Sequence, residues 1–360
     1  MTRPARYMGK PEPPAIPNGR SFQAQADDGN ALRCSLCPNA CLIPSGKFGA
    51  CRVRGNKNGS GLIPYYGHIT AIANDPIEKK PLYHFRPGSS ILSLGFSGCN
   101  LRCPFCQNWH ISQNADAPGK AMSPADIIPL ALREKQGKPA LAYTYSEPLV
   151  HAEFLIDCMA LAHKQGIANV LVTNGCVSAE AAQEILSLTD AANIDLKCFS
   201  HNTYSKVLGG NLDTVLEFIE LAHSMAVHVE ITTLVVPQLN DSVDELDKII
   251  DFIAGLSPDI PWHLSSYHPD YRWNAPPTNP DFLAQTAHRA RTVQRNRPAL
   301  AHVYTGNVAS ESNNTPCPAC GATLIQRRGY TVSTAGLSAP APGEKHYNCG
   351  NCGARTGIIC

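Results

Sequence analysis

Gly98-Cys99-Asn100-Leu101-Arg102-Cys103-Pro104-Phe105-Cys106-Gln107-Asn108 places three cysteines within eight residues, spaced C-x3-C-x2-C. An apolar run, Ile91 to Phe96, leads into it. Three thiols this close can turn toward one point only if the backbone loops around that point. A metal centre is the usual reason for such a loop. Structural zinc takes four protein ligands, and an iron–sulfur cube is normally held by four cysteine thiolates. Here the local set stops at three, because the next cysteine is Cys158. A cube on three thiolates leaves one iron open to something other than protein. The plainer alternatives are a zinc site completed by a distant residue, or three unligated buried cysteines.

From that run onward, short apolar β-branched stretches alternate with amphipathic stretches of helical period. The strand-like runs are Ile91–Phe96, Ala140–Thr144, Ala168–Thr173, Ala191–Leu196, Val227–Val236, Ile260–Ser266 and Leu300–Tyr304. Between them, helices have readable starts and stops. Ser123-Pro124 opens one that stops at Gly137, Pro148 opens another that stops at Gly166, and Ser178 caps a third. Residues 211–226 are helical by spacing, Ser242 caps a helix ending at Gly255, and Pro280 opens the last. Such alternation means βαβ units around a parallel sheet. The fold class is α/β, either an open doubly wound sheet or a complete or partial barrel.

In both architectures ligands sit at the C-terminal ends of the strands, so polar residues should gather just after each run. They do. The three cysteines follow the first run, Tyr145-Ser146-Glu147-Pro148 the second, and Thr173-Asn174-Gly175 the third. The fourth ends in Asp195-Leu196-Lys197 and the fifth carries Glu230, Thr232 and Thr233. His263, Ser265, Ser266, Tyr267 and His268 mark the sixth, and Tyr304 to Asn307 the seventh. Any one of these is explained by a turn or a helix cap. Seven in register are not.

The 360-residue chain is long enough for one large domain or two to three smaller ones. A net charge of +1 gives no general electrostatic case for nucleic acid, and no apolar run reaches the roughly 18 residues of a membrane span. Residues 1–20 are Pro-rich, lack an apolar signal core and are expected to form a disordered leader on a cytoplasmic protein. Fifteen cysteines in tight clusters within a large chain point to metal binding rather than disulfides. Cys34-x2-Cys37-x3-Cys41-x9-Cys51 supplies four thiols for zinc or a second iron–sulfur cluster, in a segment spanning residues 21–88. Residues 1–66 hold nine Lys/Arg against three Asp/Glu, a surface that could help a partner dock. Asp75 to Phe85 mixes charge and aromatics between prolines, either a linker or the lining of a site. Cys317-x2-Cys320 and Cys349-x2-Cys352, in residues 309–360, form a zinc-ribbon-like pattern for which zinc is the expected ion. Cys158, Cys176 and Cys198 are read as buried and inert.

At these residues the chain resembles the radical S-adenosylmethionine (SAM) superfamily. The carriers are Cys99-x3-Cys103-x2-Cys106 after the first strand, with Phe105 before the third cysteine, and Glu147 where the superfamily has Gly-Gly-Glu. Here that motif reads Tyr145-Ser146-Glu147, so both glycines are missing. Within the superfamily the chain is similar to the pyruvate formate-lyase activating enzyme group, and more closely to the radical SAM member of the AmmeMemoRadiSam system. Asp75–Phe85, the N-terminal cysteine loop, Trp262-His263-Leu264, His268-Pro269-Asp270-Tyr271 and Tyr304 to Val308 carry that likeness. The resemblance implies a partial (β/α)6 TIM-type barrel over residues 89–308. It also implies a [4Fe–4S] cluster on Cys99, Cys103 and Cys106, and SAM on the open iron. Glu147 would accept from the methionine ammonium. Thr173 and Asn174 would contact ribose or carboxylate, as would Asp195 and Lys197, and Phe105 would lie near the adenine. Implied partners are a one-electron donor such as flavodoxin or ferredoxin and a protein substrate or AMMECR- and Memo-like proteins. The rival from another class is a metal-binding scaffold without SAM turnover.

Overall fold

In a computed structural model the described residues are 2–10, 29–133, 137–292, 298–308 and 313–360. Eight strands form the central sheet: β1 (Ala71–Pro76), β2 (Ser90–Gly95), β3 (Ala140–Thr144), β4 (Ala168–Thr173), β5 (Ala191–Asp195), β6 (His228–Val235), β7 (Trp262–Ser266) and β8 (Val303–Gly306). Neighbours in the sheet are neighbours in sequence throughout. The crossovers therefore never reverse, which separates this sheet from a doubly wound one. Strands β2 to β8 pair in parallel, and β1 pairs antiparallel with β2. All seven strand-like runs read from the sequence are thus parallel strands, one more than the six implied by the resemblance, and an antiparallel edge strand is added. Among the described residues no helix is long and apolar enough to cross a membrane.

Helices α1 (Pro124–Ala131), α2 (Ala152–Lys164), α3 (Ala179–Leu186), α4 (Leu212–Ser224), α5 (Val243–Leu256) and α6 (Pro280–Ala290) fill the crossovers. Their starts follow local chemistry. Ser123 and Asp126 make a reciprocal capping box, and Asn211, Ser242 and Asn279 each accept a backbone N–H. Alternate strand residues serve two faces. Leu92, Leu94, Leu141, Tyr143, Leu171 and Ile194 pack with helix residues such as Leu155, Ile185, Val215 and Ile250. The intervening Ile91, Ala140, Ala142, Ala168, Val170 and Ala191 pack against Ile77, Leu82 and Phe85. Small alanines on that inner face leave room for the 77–85 segment to enter, so this segment is a plug and not a linker.

Glu230 on β6 holds the plug in place. Its buried carboxylate accepts the Tyr83 and His84 backbone N–H groups at 3.0 and 2.7 Å, and the His228 and His263 Nε2 atoms at 3.0 and 2.6 Å. Burial alone would raise its pKa, but the two histidine bonds outweigh burial and hold it well below the ordinary 4.5. A depressed carboxyl contributes stability that is present above the unfolded value and lost as pH falls below it. Glu230→Gln turns one acceptor into a donor facing donors. It is expected to cost about 3 kcal/mol in urea unfolding and to blunt the loss of stability below about pH 4.5. Unchanged urea and acid midpoints would contradict this.

Residues 2–10 do not form the disordered leader expected over 1–20. Arg3–Pro4 pairs with Ser60–Ile63, and Met8–Gly9 with Leu32–Cys34. Tyr7 is buried, with its hydroxyl donating to Glu184 at 2.9 Å, and Arg3 bonds Asp157 and Tyr66. Burying an aromatic ring repays the ordering of this short segment. Residues 1 and 11–20 of that expectation lie outside the described residues.

Candidate metal and cofactor site

The cysteine loop after β2 is shaped by one glycine. Gly98 has φ +80°, and a Cβ there would lie 2.5 Å from the Cys51 carbonyl oxygen. Conformation and close approach both require glycine. Beyond it, the Leu101 N–H donates to Cys99 Sγ at 3.3 Å, the Asn174 amide approaches the same sulfur at 3.7 Å, and Ser112 Oγ lies 3.2 Å from Cys106 Sγ. Burial pushes the Cys103 thiol up to about 12 and the Cys99 thiol well above its ordinary 9. The protein surroundings alone do not make these groups thiolates. A bound cation would.

Glu147 sits beside them. Its buried carboxylate accepts Thr173 Oγ1 at 2.6 Å, the Asn174 N–H at 2.8 Å and the Leu149 N–H at 3.0 Å. Burial raises its pKa to about 7, against these bonds. A buried carboxylate with a remaining lone pair is suited to a ligand cation. The Asn174 side chain, which touches Cys99, also donates to Asn100 Oδ1 at 3.0 Å, and Asn100 Nδ2 donates to the Cys176 carbonyl at 2.6 Å. The structure therefore brings Cys99, Glu147, Thr173 and Asn174 together, with Asn100 as a hub that the strand-end pattern did not single out.

Lys197 Nζ pairs with Asp195 at 2.9 Å. Burial lowers its pKa, but the Asp195 carboxylate outweighs this and keeps it charged. Phe105 is buried in the core with Cys103. The 268–273 loop covers the cysteine loop: Arg272 N–H donates to the Pro104 carbonyl at 2.8 Å, Gln107 Nε2 lies 3.2 Å from His268 Nε2, and Tyr271 stacks on Trp109 at 5.3 Å. His263 instead turns to Glu230. Cys158, Cys176 and Cys198 are buried.

The missing glycines have a structural consequence. Tyr145 adopts φ +69°, a region that favours glycine. Its hydroxyl donates to Asp75, and the Lys80 ammonium lies 4.3 Å from its ring centroid. Asp75 is held in turn by Lys79 and Lys80 at 2.8 and 2.6 Å. The strain is offset by Asp75 on β1 and Lys80 of the plug, which together reach the turn bearing Glu147. No local signal in the sequence marks this.

The C-terminal cysteines form two matching turns. Gly321 and Gly353, both at φ +73°, donate to the Cys317 and Cys349 carbonyls. Cys317 and Cys352 Sγ lie 3.9 Å apart, Cys320 and Cys349 3.7 Å, and all four within 4.8 Å of one another. A tetrahedron with bonds of about 2.3 Å has edges of about 3.8 Å, so one zinc-sized ion fits. A cavity of about 750 Å³ lies at the opposite end of the strands. It is lined by residues at the strand starts, such as His228 and Pro261, and by C-terminal residues such as His346. It touches none of the cysteine sets. Ligands of parallel sheets sit at the other end, so chemistry and not volume marks the site.

The Radical SAM superfamily model matches residues 94–253. An uncharacterized protein of Methanocaldococcus jannaschii is 39% identical over 342 residues, covering 94% of this chain and 98% of its own. The pyruvate formate-lyase-activating enzyme of Clostridium pasteurianum is 28% identical over 180 residues, 48% of this chain and 73% of its own. Among solved structures, a radical SAM methyltransferase from Sphaerobacter thermophilus aligns over 83% of this chain and 79% of its own, with TM-score 0.48 and 13% identity.

Proposed function

We infer, because the chain belongs to the radical SAM superfamily, that Cys99, Cys103 and Cys106 hold a [4Fe–4S] cluster whose fourth iron binds SAM. The observation that carries this is the coupling of Cys99 to the buried Glu147 carboxylate through Asn174. When bound and reduced, the cluster would supply the one electron that breaks a carbon–sulfur bond of SAM, the cluster being oxidised and methionine and a hydrogen-abstracting 5′-deoxyadenosyl radical being the products. The protein's part is positioning. Glu147 accepts from the methionine ammonium, and its alignment is set by Thr173 and Asn174. Lys197 and Asp195 would offer charge for carboxylate and ribose, and Phe105, which packs in the core beside Cys103, would lie near the adenine. Leu101 N–H and Ser112 Oγ hold the thiolates in place, and the 268–273 loop shields the site from water.

The C-terminal quartet is proposed to hold zinc, which closes that module. A low-potential carrier such as flavodoxin or ferredoxin supplies the electron, and a reducing cytoplasm suits fifteen free cysteines. The relatives named as pyruvate formate-lyase activating enzymes support a protein glycine as hydrogen donor. A substrate acting with AMMECR- and Memo-like partners is the other candidate. Anaerobic reconstitution with iron and sulfide, then dithionite and SAM, is expected to yield 5′-deoxyadenosine. An intact cluster without that product would overturn the assignment. Deuterium carried from a candidate partner into 5′-deoxyadenosine would identify the donor.

A further inference from the structure

Cys34, Cys37, Cys41 and Cys51 offer four thiols, enough for a single tetrahedral ion or for a cube. Two observations separate these. The first is spacing. Among the described residues, the C-terminal quartet is the set whose sulfurs gather within 4.8 Å. No three of the N-terminal sulfurs do so, and neither do those of Cys99, Cys103 and Cys106. Zinc draws every pair of its thiolates to about 3.8 Å. A cube binds each thiolate through a different iron and keeps them further apart. The N-terminal set thus lacks the close spacing of the zinc-like turns, as does the cluster loop.

The second observation is place. The N-terminal loop is built directly onto the cluster loop. The Cys51 carbonyl oxygen lies where a Gly98 side chain would begin, Asn39 Nδ2 donates to the Asn100 carbonyl at 2.8 Å, and the Ser178 N–H donates to the Leu36 carbonyl at 2.8 Å. One layer of backbone separates Cys51 from Cys99. The Ala50 N–H donates to Cys41 Sγ at 3.3 Å, the kind of bond that tunes a cluster's potential. Around it, Arg33, Lys47, Arg52 and Lys57 are exposed, and residues 29–66 contain no acid.

We propose that Cys34, Cys37, Cys41 and Cys51 bind a second [4Fe–4S] cluster, closed by four thiolates, through which an electron passes to the cluster on Cys99, Cys103 and Cys106. The proposal rests on the reading of that loop given under Proposed function. One electron enters from a low-potential one-electron carrier protein, which is oxidised. It then moves to the open cluster, which is reduced, and the N-terminal cluster returns to its starting state. No bond forms or breaks and no proton moves. The exposed cations suit a carrier with an acidic face.

The test is metal content and spectroscopy of the full chain, reconstituted anaerobically and desalted. The expected result is about eight irons and about one zinc per chain. About four irons with about two zincs would overturn the proposal. The triple variant Cys99→Ala, Cys103→Ala, Cys106→Ala should keep about four irons and show one unbroadened EPR signal on reduction. Wild type should show two signals broadened by their mutual proximity. A triple variant without iron, beside a wild type holding about four, also overturns it. A wild type with both clusters that makes no 5′-deoxyadenosine would instead overturn the assignment of the cluster loop and leave this one standing.

Discussion

Cys103→Ala is expected to fold and to make no 5′-deoxyadenosine above background. Cys103 is buried beside Phe105 and faces Lys197. In the proposed assignment, removing its thiolate would leave two protein ligands for a cluster with one open iron, and binding falls with each lost ligand. The cost to folding is small by comparison, about 1–2 kcal/mol for a buried sulfur. Cys158→Ala is the control. Cys158 is fully buried against Tyr143 and far from the cysteine loop in sequence. It should lose similar stability yet cleave SAM as wild type does. Iron content, thermal unfolding and product by mass spectrometry separate the two. Turnover by Cys103→Ala with an intact cluster would move the site elsewhere.

The C-x3-C-x2-C spacing after a strand was legible in the sequence, because it is a local signal. So were the parallel strands and most helix starts, since caps such as Ser123, Ser242 and the proline at 280 act within a turn. What escaped depends on distant partners. Arg3–Pro4 is a strand only because Ser60–Ile63 lies beside it. Asp75 looks like one charge in a mixed run, yet it meets Tyr145, 70 positions away. The absence of glycine at 145 could be read. That its replacement would accept a left-handed backbone, held by Asp75 on the edge strand and Lys80 of the plug, could not. Glu230 was visible as one of several polar residues on its strand, but its four donors come from three separate stretches of chain.

Glu153→Leu is expected to destabilise the chain by about 3–5 kcal/mol. Glu153 on α2 and Arg54 are each 1% exposed and share two bonds of 2.8 and 2.9 Å, and Glu153 also accepts the Arg6 N–H at 2.7 Å. Burial would raise the Glu153 pKa, and Arg54 brings it below its ordinary value instead. Losing the carboxylate strands a guanidinium out of water. The double variant Arg54→Met, Glu153→Leu should recover much of that cost, since an apolar pair of similar volume is often as stable as the ion pair it replaces. Position makes the pair more than a local brace. Arg54 follows Cys51 by three residues, and its carbonyl accepts the Gly49 N–H, so it closes the turn carrying that cysteine. With both quartets metallated as proposed, Glu153→Leu should release metal from the N-terminal quartet at lower temperature than from the C-terminal one. Simultaneous release from both, followed by metal analysis across a thermal ramp, would mean that the Arg54–Glu153 pair supports the whole fold and not this loop.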